Sequence, residues 1–401
     1  MRNDRIVMVM PYRQLVRKAV ATGFRVWVVW DIAGLEAPAR AEIESLAEDL
    51  VLVDFADEEK LRRAVRDLAA AAGAAYVLHF GPEETMVSVA EEAETLGLAP
   101  NPPGALHALN DKIEMRRLLA AHGLSPVRAE AVPNRDEVRS RLAEFGLPAI
   151  VKPANSSGSQ AVALVRTASD VAAWAAEADR MRCAGPFVIE EFLEGPEFSV
   201  ETLTVNGRHL AAGITAKRTT GAPHFVEIGH LHPAPLAEAD RATIVALAIR
   251  LLDLAGYRFG PAHTEVILTA DGPRIVESQA RLGGDRIPVL VETATGLDLE
   301  AAIFETLAGR EVTVPAPRGH AAVTFFTLPA GRVVALDGLA DIRALSWVID
   351  LRCQIEVGDV LASTTNSRTR HGHAVVRATG PVQAATRVEA VHSLLRVRIE
   401  S

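Results

Sequence analysis

The chain is poor in the features that mark several large functional classes. Its 401 residues include only two cysteines, Cys183 and Cys353, too few and too far apart for a disulfide framework or a zinc site. That scarcity fits a reducing compartment, with both thiols as apolar fillers. Aromatic residues make up 5% and the formal net charge is -9 with no stripe of Lys or Arg, which argues against a nucleic-acid partner. Long apolar runs are missing. The opening MRNDRIVMVMPYRQLVRK carries only Ile6 to Met10 before charge returns, too short for a signal peptide or a membrane span, so the expected location is the cytoplasm. Glycines are absent where a nucleotide fingerprint needs them. Met10 is followed by Pro11-Tyr12-Arg13, so neither GxGxxG nor a Walker loop closes the first apolar run.

What is present describes an ordinary globular chain with a large core. At 49% hydrophobic and 23% charged, it should divide into two or three subdomains of α/β and α+β class and bind small molecules. Short β runs and helical patterns alternate through Ile6–Met10, Arg13–Ala21, Arg25–Trp30, Glu58–Ala72, Ala75–Phe80 and Pro82–Leu96, the rhythm of a small parallel layer. Asn101-Pro102-Pro103-Gly104 is dense enough in turn formers to mark a boundary. From Arg128 to Leu193 the order is strand, helix, strand, loop, strand, helix, strand. Strands dominate from Glu197 to Ser278 around a helix at Glu238–Ala255. Helices at Arg286–Thr295 and Leu299–Leu307 precede a Pro/Gly join at Pro315–Gly319, and the remainder reads as β-rich with one late helix, Val382–Arg396.

The chemistry concentrates in GPAHTEVILTADGPRIVESQARLGG, from Gly260 to Gly284. Asp271-Gly272 is a hairpin signal, so Glu265 and Glu277 should face each other on adjacent antiparallel strands. Two such carboxylates repel unless a hard cation lies between them, and magnesium carrying nucleotide phosphates is the usual one. Arg281 adds a fixed positive charge. Upstream, Lys152 leaves a buried strand into the loop Asn155–Ser159, whose backbone and hydroxyls can face phosphate oxygens. Lys112 begins a helix after Asn110-Asp111. Glu190-Glu191-Phe192-Leu193 ends another strand, with Glu197 seven residues past Glu190 and placed for ribose hydroxyls. Singly, each of these is equally a surface turn, a helix lysine or a hinge.

Together, in this order and spacing, they resemble the ATP-grasp superfamily from Asn101 to about Leu307. The resemblance implies an opening α/β domain over 1–104, an ATP-grasp domain over 105–318 with a lid at about 128–193, and a β-rich subdomain over 319–401. It implies ATP and Mg2+ as cofactors. Lys112 and Lys152 would hold the α- and β-phosphates, with Ser156, Ser157, Gly158 and Ser159 closing over the γ-phosphate. Glu190, Glu191, Phe192 and Leu193 would read adenine, Glu197 the ribose, and Glu265 and Glu277 would ligate magnesium. The family's third metal ligand is usually an asparagine two residues after the second glutamate, where this chain has Gln279. Arg281 would meet the acyl-phosphate.

Within the superfamily, Ala222 to Pro235 with Glu227 and His230, together with the HTEV and ARLGGDRIP strings, is similar to the bacilysin-synthetase-like L-amino-acid ligases. That similarity implies ligation of a carboxylate to an amine, both small molecules of amino-acid type, through an acyl-phosphate. There Glu227 receives the amino group of the first amino acid, His230 lies beside the reacting carboxylate, no membrane is involved, and a homodimer is a family expectation. A carboxylase- or formyltransferase-like member activating a one-carbon acid is the alternative, and a non-catalytic ATP-binding scaffold is a third reading.

Overall fold

A computed structural model of the protein describes residues 3–155, 158 and 160–400. The expected parallel layer opens it. Strands Asp49–Val53, Arg25–Asp31, Arg5–Val9 and Tyr76–Leu78 lie side by side in that order, all parallel. Their runs of Val and Ile are apolar on both faces because helices cover both, as a parallel sheet requires. Helix Glu58–Ala72 shows why the local signals sufficed: Asp57 caps its start, Gly73 closes it in a left-handed conformation, and Leu61, Val65, Leu68 and Ala72 form its buried stripe. In this layer helix Ala37–Leu46 and edge strand Asp49–Val53 escape the sequence reading, as do helices Pro103–Asn110 and Leu339–Arg343 beyond it.

A second sheet is antiparallel, in the order Ala129–Val132, Phe187–Glu191, Ala149–Pro153, Ala163–Val165, with helices Arg135–Phe145 and Ala168–Arg180 packed on it. The scaffold of the molecule is an eight-stranded sheet. Its order is Gly272–Gln279, Phe259–Thr269, Glu197–Val205, Arg208–Thr219, Glu227–His232, His320–Phe325, Gly372–Ala378, Val348–Cys353, every pair antiparallel. Both expected hairpins, at Asn206-Gly207 and Asp271-Gly272, are in it. The sheet continues past residue 318, so the β-rich end of the chain is hydrogen-bonded to the strands that carry the site. A small sheet of Val360–Leu361, Gly331–Asp337 and Arg396–Glu400 completes it. The late helix ends at Leu394 rather than Arg396, and the residues after it form a strand.

Asn101, expected to mark a loose boundary, is a buried fastener. Its side-chain amide donates to the Phe259 carbonyl at 2.7 Å, and its oxygen accepts from the Arg258 and Phe259 N–H groups at 2.9 Å. The junction is thereby tied to the start of the strand that bears Glu265. Asn101→Ala removes one side of three buried hydrogen bonds and should cost roughly 2 to 3 kcal/mol. Urea titration checks this: the midpoint should fall with an unchanged slope, and an unmoved midpoint would show that the junction is not held this way.

Candidate active site

Alternation along two adjacent strands builds the centre of the site. Glu265 stands opposite Glu277 across the hairpin, and Glu201 stands opposite His263 on the strand beside it. Because side chains two apart share a face, His263 and Glu265 point the same way. His263 sits between carboxylates, Nδ1 2.8 Å from Glu201 and Nε2 3.1 Å from Glu265. Burial opposes its charge, but Glu201 and then Glu265 outweigh burial and raise it to about 9, so both ring nitrogens donate. Gly283 is required there: a Cβ would stand 2.8 Å from both Glu201 and His263. Glu265 also accepts from the buried Lys217, which lies 2.7 Å from Glu197 and 3.7 Å from Glu227. Burial disfavours that ammonium, yet the surrounding carboxylates hold it well above its ordinary value.

On the partner strand, Glu277 accepts from Lys112 at 3.1 Å and from the Gln279 amide nitrogen at 2.7 Å. The Gln279 amide oxygen is buried with no hydrogen-bond partner among the described residues. Among the described residues, no three His, Cys, Asp or Glu side chains form a metal cluster. Glu265, Glu277 and that orphaned amide oxygen are nevertheless an all-oxygen set, the donor chemistry a hard cation takes.

The two lysines come from a helix and from a strand of the second sheet. Asp111 caps helix Lys112–Ala121 by accepting from the Ile113 and Glu114 N–H groups, which aims Lys112 inward. One turn on, Arg116 points the same way. It donates to Glu190 at 2.7 Å and to the Ile275 and Val276 carbonyls. Lys152 takes the other Glu190 oxygen at 2.7 Å. Burial alone would raise the Glu190 carboxyl, but Arg116 and Lys152 outweigh it and hold it at about 2. Burial, helped by Arg116 and Lys112, keeps Lys152 below its ordinary value. Both oxygens of Glu190 are thus engaged. The backbone of Glu191, Phe192 and Leu193 borders the open space beside it. Of the expected phosphate loop Asn155 and Gly158 are described; Ser156, Ser157 and Ser159 lie outside the described residues.

At the far end, Arg281 is fastened by Glu83 at 2.7 Å and by its own donation to the Leu282 carbonyl. Glu227 accepts from the Ser367 hydroxyl. His230 Nε2 lies 3.2 Å from Asp285, which also takes two N–H groups of Arg370. Asp285 and Arg286 both have φ in the left-handed region, 53° and 66°, a conformation side chains adopt there only when surrounding contacts enforce it. One cavity of about 760 Å3 is lined by Lys112, Lys152, Gly158, Glu190 to Leu193, Glu197, Glu227, His230, Glu265, Glu277 and Arg281. The described site residues singled out from the sequence, Asn155 apart, therefore border a single space.

Sequence reasoning missed Lys217, His263, Arg116, Glu83, Asp285 and Arg370. Two had a readable signal: His263 is two residues before Glu265 on a strand, and Arg116 is four after Lys112 on a helix. The others arrive from remote segments with no local mark.

Comparison with known proteins agrees with this geometry. Residues 145–289 match the ATP-grasp domain, and residues 324–400 match the L-amino acid ligase C-terminal domain 2. An uncharacterized protein, y4rH, of Sinorhizobium fredii is 28% identical over 303 residues, covering 74% of this chain and 63% of that protein. The alanine–anticapsin ligase of Bacillus subtilis is 26% identical over 257 residues, covering 57% of this chain and 53% of the ligase. The chain thus spans less than two thirds of the length of these curated relatives. The crystal structure of an L-amino acid ligase from Bacillus licheniformis superimposes with a TM-score of 0.83 over 100% of both chains at 21% identity, a likeness of fold.

The Glu190 cluster makes a pH prediction. Its folded value of about 2 lies below the ordinary 4.5, so the ionised carboxylate contributes stability in full above that value and loses it as pH falls toward 2. The difference is worth roughly 3 kcal/mol. Glu190→Gln should therefore be less stable than the parent at about pH 6, and urea midpoints should show the gap narrowing steadily on acidification. A gap independent of pH would contradict the pairing.

Proposed function

We propose that this chain, which joins an ATP-grasp domain to an L-amino acid ligase C-terminal domain, is an ATP-dependent carboxylate–amine ligase that makes an amide bond between amino acids. The observation that carries the reading is that one cavity brings the Glu265–Glu277 pair, two lysines, Arg281 and Glu227 together from separate segments. We read residues 1–104, 105–318 and 319–401 as the opening, ATP-grasp and closing units, the last docked through the shared sheet.

Lys112 and Lys152 bind ATP phosphates, with Gly158 and its neighbours as lid. Glu190 acts through Lys152 and Arg116, since its oxygens are engaged, and adenine is left to the backbone from Glu191 to Leu193. Glu197, held by Lys217, faces the ribose. Glu265, Glu277 and the Gln279 amide oxygen would hold magnesium, which when bound offsets phosphate charge. Lys112 and Lys217 would have to yield part of their hold on the two glutamates.

A carboxylate is a poor electrophile. One of its oxygens attacks the γ-phosphorus of ATP, the bond to the bridging oxygen breaks, ADP leaves and an acyl-phosphate forms. The amine then attacks the acyl carbon, Arg281 faces the oxyanion, and the carbon–oxygen bond to phosphate breaks to release inorganic phosphate. The attacking amine must lose a proton. Glu227 has one oxygen on Ser367 and the other 3.7 Å from Lys217, whereas His230 has its Nε2 against Asp285; both border the cavity, and the carboxylate is the one we assign as receiver.

Phosphate release screened over pairs of amino acids, with mass spectrometry of the products, tests the reading. Dipeptide masses dependent on ATP are expected. Silence with every pair, or release stimulated by bicarbonate or formate alone, would sink it. Glu277→Ala should lower turnover by at least about a hundredfold through loss of a metal-holding oxygen, and unchanged turnover would remove Glu277 from the metal site.

A further inference from the structure

The charges around the cavity are almost all matched. Of the lysines and arginines that line it, Lys112, Lys152 and Lys217 face Glu277, Glu190 and Glu197, and Arg281 faces Glu83. Arg368 is the exception among the described residues: it lines the cavity, is exposed, and its side chain makes no ion pair or hydrogen bond. Five N–H donors in a planar fork are left without an acceptor.

The turn that presents Arg368 is built into the site. Asn366 caps the short helix Ser367–Thr369. Ser367 donates its hydroxyl to Glu227 and its N–H to the Gly158 carbonyl at 3.4 Å. Two residues on, Arg370 is consumed by Asp285, the Ser367 carbonyl and the Glu227 carbonyl, and lies 3.7 Å from the Phe325 ring centroid. The backbone on both sides of Arg368 is therefore pinned to the cavity wall while its charge stays free.

We infer that Arg368 receives the carboxylate of the attacking amino acid. This rests on the ligase reading and adds to it the demand that the acceptor carry a free carboxylate. An α-amino acid has its carboxylate one carbon from its amine, so the group that holds it must stand beside the point of attack. Arg368 follows directly on Ser367, which is bonded to Glu227, and a guanidinium matches a carboxylate in two parallel hydrogen bonds. ATP is the other source of an oxyanion, but Lys112 and Lys152 already face phosphates from the lid side.

Steady-state kinetics on the full chain decide the matter, using a productive pair from the amino-acid screen and, separately, the same acceptor as its carboxamide. Arg368→Ala and Arg368→Gln should each raise the acceptor KM about tenfold to a hundredfold, leave the ATP KM within about twofold, and leave the carboxamide reaction unmoved. Arg368→Lys should fall between, and Arg377→Ala, an exposed arginine of the same unit, should resemble the parent. An unmoved acceptor KM overturns the proposal, as does a rise in the ATP KM instead, which would assign Arg368 to a phosphoryl group. Failure of the parent to ligate any pair overturns the ligase reading, and this proposal with it, before any variant is made.

Discussion

Everything at this site depends on keeping buried charge neutral. Lys152, Glu190 and Arg116 are almost wholly removed from water, and an isolated ion in such a place would cost several kcal/mol. Each is stable only because the next one is there. Arg116 extends the chain of charge to the Ile275 and Val276 carbonyls, so the helix beginning at Lys112, the Ala149–Pro153 strand and the hairpin of the glutamates are fixed relative to one another by electrostatics as much as by apolar packing. A cleft that gathers cations must keep them from repelling one another, and matching each to a carboxylate is how this chain does so.

The same constraint explains why the ligand-facing groups lie on strands. On the eight-stranded sheet, Glu197 and Glu201, Lys217, Glu227, His263 and Glu265, and Glu277 come from five neighbouring strands. Alternation turns them to common faces, and their spacing across the sheet is fixed by backbone hydrogen bonding rather than by loop conformation. Precision of that kind matters where a phosphoryl group must meet a carboxylate in line. The Ser367–Arg370 turn is supplied by a connection rather than by a sheet strand, and its Ser367 N–H donates to the Gly158 carbonyl.

How much of this was legible in the sequence followed from whether the information was local. The hairpin at Asp271-Gly272 is written in two turn residues and two apolar runs, and with it the pairing of Glu265 with Glu277. Helix Glu238–Ala255 and the lid's alternation are legible for the same reason. Helix Ala37–Leu46 is not, because it buries only Ile43 and has no apolar stripe to read. The Arg396–Glu400 strand, RVRIE, continues without a breaker from the helix before it, and only pairing with Gly331–Asp337 makes it a strand. Glu83, Asp285 and Arg370 are ordinary surface-type residues in sequence; it is the fold that sets Glu83 against an arginine 198 positions away.

Gln279 is where a departure from pattern can be argued physically. An asparagine at that position would hold its amide one methylene closer to the strand. The longer side chain here folds back so that its nitrogen donates to Glu277, which turns the oxygen into buried space with no partner. A buried amide oxygen without a donor is unfavourable by about 1 to 3 kcal/mol, and a protein keeps such a group where something else completes it. The hydrogen bond to Glu277 also fixes the direction of that oxygen, so the extra methylene does not leave it free to wander. Glutamine in place of asparagine therefore alters how the amide oxygen is delivered while retaining an oxygen beside the two carboxylates.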